Sequence, residues 1–148
     1  MGLCGEVPGS VRRMDLQSLD QRQVALILAR GRAITGLTMI LVPGLVGRVL
    51  FGRDGGAPVS KALLRLTGVR DLALGVGAIT TLKEQTMDAE WVGMGAVCDG
   101  VDVATLLLTP GLTKTARAGS LIAIGGAVGG FLASRALADE RKSRTISE

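Results

Sequence analysis

Five charged residues interrupt stretches that are otherwise apolar, and they carry the chemistry this chain has to offer. Arg65, Arg70 and Asp71 fall in residues 65–75 (RLTGVRDLALG), and Asp99 and Asp102 fall in residues 97–106 (VCDGVDVATL). A charge at the centre of a hydrocarbon layer costs about 2.5–3.5 kcal/mol. Arg70, Asp71, Asp99 and Asp102 together cost on the order of 10 kcal/mol unless they meet inside a bundle. Three carboxylates and two guanidiniums in one low-dielectric pocket do not all stay charged. One protonated carboxyl beside one ionised carboxylate is the pair that general acid–base catalysis uses. A buried ion network with a purely structural role accounts for the same residues.

The elements that must position them follow from composition. The chain has 148 residues, 47% hydrophobic, 22 glycines and 2% aromatic, with a mean hydropathy of +0.42. Its apolar residues gather in four long blocks, at about 24–51, 60–82, 89–108 and 116–138. Each is about 20 residues, enough helix to cross a bilayer. The expected fold class is therefore all-α, an integral membrane four-helix bundle over residues 24–138. A polar tail (1–23) precedes it and a charged tail (139–148) follows. Met14 to Gln23 is a candidate interfacial helix. Pro43 falls inside the first block, where it frees the carbonyl of Met39 and is expected to kink the helix. Residues 52–59, 83–88 and 109–115 read as connections, the last opened by Pro110 and Gly111.

Antiparallel second and third helices put Asp71 and Asp99, each at its block's midpoint, at one depth. Asp102 lies one turn from Asp99 on the same face. Arg65 is about 9 Å from the depth of Asp71 along the axis. Arg30 and Arg32 fall in the first turns of the first block, where they are expected to snorkel to the headgroups. Lys and Arg number ten on the side of the termini and five on the other, so both termini are expected in the cytosol. Glu90 and Trp91 read as interface anchors.

Other function classes fare worse. The net charge of +4 has no basic stripe, and only Phe51, Phe131 and Trp91 offer rings for stacking, which argues against nucleic acid. Cys4 and Cys98 form no CxxC and there is no histidine, so zinc, haem and Cys–His catalysis are not expected. No cleavable signal peptide is expected, the first span acting as its own insertion signal. Asp99 and Asp102 have the DxxD spacing of a Mg²⁺ site, but no second acid cluster or phosphate loop accompanies them. Neither a metal nor another cofactor is expected. Gly125, Gly126, Gly129 and Gly130 form two overlapping GxxxG spacings, suited to packing within the bundle or to a homo-oligomer.

Residues 65–75 followed by the third-helix acids resemble a family of small four-helix membrane proteins classed as DUF4267, over the four spans and leaving the tails aside. Some proteins of similar size and hydropathy in fungal polyketide clusters of the aurovertin and citreoviridin type are assigned as epoxide hydrolases or epoxide-opening cyclases. The resemblance implies a multi-pass membrane enzyme of secondary metabolism, in the endoplasmic reticulum if fungal. It would open the epoxide of a lipophilic polyketide made by a flavin monooxygenase. Two aspartates bridged by an arginine supply a proton donor for the departing oxygen and a base for the attacking one. On that reading Asp99 or Asp102 is the acid, Asp71 the base, and Arg70 or Arg65 the orienting cation. The principal alternative is a non-catalytic membrane scaffold whose charges lock the bundle. A small proton-coupled carrier, which needs an oligomer, and a Mg²⁺-dependent enzyme stand further off.

Overall fold

A computed structural model describes the backbone of residues 9–110 and 112–147 and the side chains of 21–110 and 112–146. Cys4 and Gly111 lie outside the described residues. The described elements are all helical: α1 (Gly9–Leu41), α2 (Pro43–Phe51), a 3₁₀ turn (Gly52–Gly56), α3 (Pro58–Glu84), α4 (Asp88–Leu108) and α5 (Lys114–Ser147).

Prolines and one glycine set the breaks. Pro43 has no N–H to continue α1, so the helix ends at Leu41 and a new one starts with Pro43 in its first turn. The Val42 carbonyl accepts from the N–H groups of Leu45 and Val46 and closes that turn. Gly52 then reverses the chain at φ +67°, a left-handed conformation that suits a residue without Cβ. Pro58 opens α3, again at a position where the missing N–H costs nothing. Only Gln85–Met87 separate α3 from α4, with Gln85 and Met87 both in the left-handed region. Thr113 joins the α4–α5 connection to α2: its hydroxyl donates to the Leu50 carbonyl and accepts from the N–H of Ala116.

Helices α1 and α3 pack together closely, as do α4 and α5, and contacts of α1 with α5 and α3 with α4 complete a ring. Small residues permit the approach. A Cβ on Gly36 would stand 2.6 Å from the carbonyl oxygen of Gly68, and one on Gly75 would stand 2.7 Å from that of Ala29. The core is largely alanine: Ala25, Ala29, Ala78, Ala96, Ala116 and Ala133 are buried, with Leu64, Leu82 and Leu137. Large aliphatics such as Ile27, Ile34, Leu66, Leu108 and Ile122 are exposed instead. Small residues inside and large apolar ones outside is the arrangement of helices packed in lipid, where burying aliphatic surface brings no gain.

Three stretches are long and apolar enough to cross a membrane: Gln21–Leu41, Asp88–Leu108 and Lys114–Ile146. They support an integral membrane protein. The 27-residue α3 is not among them, because Arg70 and Asp71 sit in its middle.

Both tails differ from the sequence reading. Helix α1 starts at Gly9 and runs unbroken through the segment read as a tail and a separate interfacial helix, and α5 continues to Ser147. The extensions are held by charge. Arg22 of α1 lies 3.1 Å from Asp88 and 3.3 Å from Glu140, and Arg141 lies 3.1 Å from Asp88 and 2.8 Å from Glu90. Asp88 is 2% exposed, so this clip of α1, α4 and α5 is partly withdrawn from water. Glu90, expected to anchor at the interface, is a member of it.

Replacing Gly36 with Ala should force α1 and α3 apart and cost about 1–3 kcal/mol. Gly100→Ala, where a Cβ meets nothing within 4 Å, should leave stability unchanged. Thermal unfolding in detergent compares the two, and equal melting temperatures would contradict the close contact.

Candidate functional site: a row of five alternating charges

The intramembrane charges come together as Asp99–Arg32–Asp71–Arg70–Asp102. Arg32 of α1 sits between the acids of α3 and α4. Its Nη1 donates to Asp71 Oδ1 at 3.3 Å, and its Nη2 donates to Asp99 Oδ2 and, at 2.9 Å, to the carbonyl of Gly95. Arg70 donates to the same Asp71 Oδ1 from Nε (3.2 Å) and Nη2 (3.1 Å). It also grips Asp102 with two bonds, 2.7 Å from Nη2 and 3.3 Å from Nη1. Charge-assisted and partly bidentate bonds of this kind are the strong ones in proteins. Among the described residues, Asp71 Oδ2 and Asp99 Oδ1 remain uncommitted.

Burial divides the row. The side chains of Arg32, Asp71 and Asp99 are 13%, 11% and 17% exposed, against 35% and 34% for Arg70 and Asp102. Arg32, Asp71, Asp99 and Asp102 all line a cavity of about 650 Å³ that draws its wall from all four long helices. The wall is mainly apolar, with Leu28, Leu64, Leu74 and Leu106 among its residues, and Thr35, Thr67 and Thr105 add hydroxyls. Trp91, expected at the membrane interface, lines this cavity, its indole lying against Gly77.

Of the residues singled out from sequence, Asp71, Asp99, Asp102 and Arg70 meet and Arg65 does not. Arg65 is exposed, with Nε 3.5 Å from the carbonyl of Ile40. The cation that bridges the two inner acids is Arg32, which sequence reasoning sent to the headgroups. The reason is Pro43. If the first span is taken to run on to Phe51, Arg32 lies near its start. Once Pro43 ends the helix, the apolar span is Gln21–Leu41 and Arg32 is at its middle. A guanidinium at that depth on the face turned toward α3 and α4 is stabilised by the carboxylates it meets there. The signal was in the sequence, in the distance from Arg32 to Pro43. Arg30, two residues earlier and so on the opposite side of the helix, is exposed.

The four glycines of α5 divide. Gly126 lies against Asp99, whose Cγ would be 3.1 Å from an added Cβ, and Gly130 lies against Ala96. Gly129 meets Leu28 of α1, and a Cβ at Gly125 would meet nothing within 4 Å. The Gly126–Gly130 spacing is therefore internal packing, and it brings the backbone of α5 up to the carboxylate of Asp99. Asp99 and Asp102, the acids at DxxD spacing, are held by different guanidiniums. Among the described residues no three His, Cys, Asp or Glu side chains are grouped to hold a metal ion. Cys98 is a free, half-buried thiol.

Comparison with protein-family models, curated proteins and solved structures found no match to this chain.

Removing Arg32 leaves two carboxylates facing each other without their shared cation. Arg32→Ala should cost about 3–5 kcal/mol, the penalty for stranding a buried charge. Arg65→Ala should change stability by no more than about 0.5 kcal/mol. Matched denaturation curves in detergent test the pair, and equal losses would show that Arg32 is not the bridge.

Proposed function

We propose that this protein is a multi-pass membrane enzyme that opens a lipophilic epoxide by general acid–base catalysis, without a metal or covalent intermediate. The observation that carries the reading is the Asp71–Arg32–Asp99 bridge on the wall of an apolar cavity, with one oxygen of each carboxylate uncommitted.

The roles follow from the partners. Asp71 accepts from two guanidiniums and is the ionised base. Asp99, held by one, is the carboxyl that carries the proton. Asp99 gives its proton to the epoxide oxygen as the C–O bond breaks. Asp71 takes a proton from the attacking water, or from a hydroxyl of the substrate, as the new C–O bond forms. The product is a diol in the first case and a cyclic ether in the second. The proton then returns from Asp71 to Asp99. Arg32 holds both carboxylates in register, and Arg70 and Asp102 complete the row. A preorganised pair of this kind contributes through both proton transfers. The polyketide class of substrate, and an endoplasmic-reticulum location, come from the family resemblance alone.

In this reading α3 is a fourth crossing, its central charges neutralised within the row rather than exposed to lipid. Setting aside Arg30 and Arg32, which both lie near the middle of the span, leaves eight Lys and Arg on the side of the termini against five on the other, which favours a cytosolic placement of both termini. A second reading, a scaffold locked by its charges, is favoured by one feature: the row ties α1 to α3 and α4.

The test supplies a lipophilic epoxide in ¹⁸O-water to membranes holding equal amounts of wild type, Asp71→Asn, Asp99→Asn or Arg65→Ala. Wild type and Arg65→Ala should turn over alike, and either Asn variant should lose about 100-fold or more. Label in the product reports attack by water, and its absence reports ring closure. Folded Asn variants as active as wild type would eliminate the acid–base assignment. A wild type inert on every epoxide offered would favour the scaffold.

A further inference from the structure

The chain's net charge is not spread over its surface. Five cations gather at the end formed by α2, the 3₁₀ turn and the start of α5: Arg48, Arg53, Lys61, Lys114 and Arg117, with Asp54 the single acid among them. Their sum equals the +4 of the whole chain, so every other charge cancels elsewhere.

Local packing holds the group together. The side chain of Arg48 crosses the 3₁₀ turn, its Nε 3.3 Å from where a Cβ of Gly56 would stand. Lys61 crosses α2 in the same way at Gly44, with Cε 3.1 Å from that position. The Thr113–Leu50 hydrogen bond brings the first turn of α5, with Lys114 and Arg117, beside α2. Gly52 also lies by Thr113, which puts Arg53 in the same group.

The contrast with the opposite end identifies the partner. There Arg22 and Arg141 are matched by Asp88, Glu90 and Glu140 within the protein. At the α2 end none of the five cations has an acidic partner among the described residues, and Arg48, Arg53, Lys114 and Arg117 are exposed. Exposed aliphatics of the adjoining turns, Leu45, Val49, Val59 and Leu63, set this cluster at the rim of an apolar belt. Unmatched cations at the edge of a membrane-facing surface meet phosphate at the headgroup level. We propose that this end is a binding surface for anionic phospholipid headgroups, which supply the negative charge the chain lacks there. On the orientation proposed above, this end lies in the leaflet opposite the termini, and the binding it offers depends on the anionic lipid present there.

The full chain would be reconstituted in phosphatidylcholine vesicles with about one-tenth phosphatidylglycerol, extracted, and its retained lipid measured by mass spectrometry. Wild type should retain phosphatidylglycerol at least about threefold above its share of the bilayer. The variant Arg48→Gln, Arg53→Gln, Lys114→Gln, Arg117→Gln should lose the enrichment, and Arg30→Gln, Arg135→Gln should keep it. Salt at about 1 M, which shortens the Debye length to about 3 Å, should abolish it in wild type without any substitution. Bulk lipid proportions in wild type, or enrichment indifferent to salt, would overturn the proposal. So would inorganic phosphate that displaces the lipid as readily as phosphatidylglycerol itself, which would make this a site for free anions.

Discussion

Three helices hang on one guanidinium. Arg32 reaches from α1 to Asp71 on α3 and Asp99 on α4, and donates from Nη2 to the Gly95 carbonyl as well. In lipid no aliphatic burial drives helices together, so packing and polar contacts decide the assembly. Alanines and glycines let the backbones approach, but they do not choose a rotation or a depth. A charge that can be satisfied in only one arrangement does. Arg32 fixes the depth of α1 against α3 and α4, and the Gly36–Gly68 contact then sets how closely α1 and α3 lie.

This accounts for what was legible in the sequence. Helical class and the meeting of Asp71, Asp99 and Asp102 follow from counting: antiparallel helices with acids at their midpoints bring those acids to one depth. The two arginines were harder. Arg65 and Arg70 are five residues apart, about 140° around a helix, and only one of them can face the acids. Arg70 adjoins Asp71 in sequence, points about 100° away from it, and still reaches it because a guanidinium on a long stem can fold back. Spacing alone does not choose between the two arginines. Arg32 lies at mid-span and not at the headgroups because one apolar block holds two helices, with Pro43 an end and not a kink.

Among the described residues both tails are helical, for a reason that hydropathy does not carry. Hydropathy marks where a helix meets lipid, not where it stops. The segments flanking α1 and α5 are polar, yet Arg22, Asp88, Glu140 and Arg141 satisfy one another and the helices continue through them. Trp91 shows the limit of residue-type rules in the same region. A tryptophan near a span's end usually seeks the interface, but Gly77 on α3 leaves a flat place for its ring, and the indole turns inward to line the cavity.

The composition of the row bears on what it is for. A lock between helices needs equal numbers of opposite charges, and two guanidiniums would be matched by two carboxylates. Here there are three, so the row is one positive charge short, and a single proton makes it neutral. The two carboxylates in the buried part of the row, Asp71 and Asp99, are joined through Arg32 and differ in that Arg70 grips only Asp71. The surplus carboxylate adds cost to a purely structural network in a low-dielectric interior. In an acid–base pair it is the group without which there would be no acid. Asp102 ties Arg70 of α3 to α4 and so serves a lock as well, whereas the proposed acid–base pair gives the surplus proton a use on the buried acids.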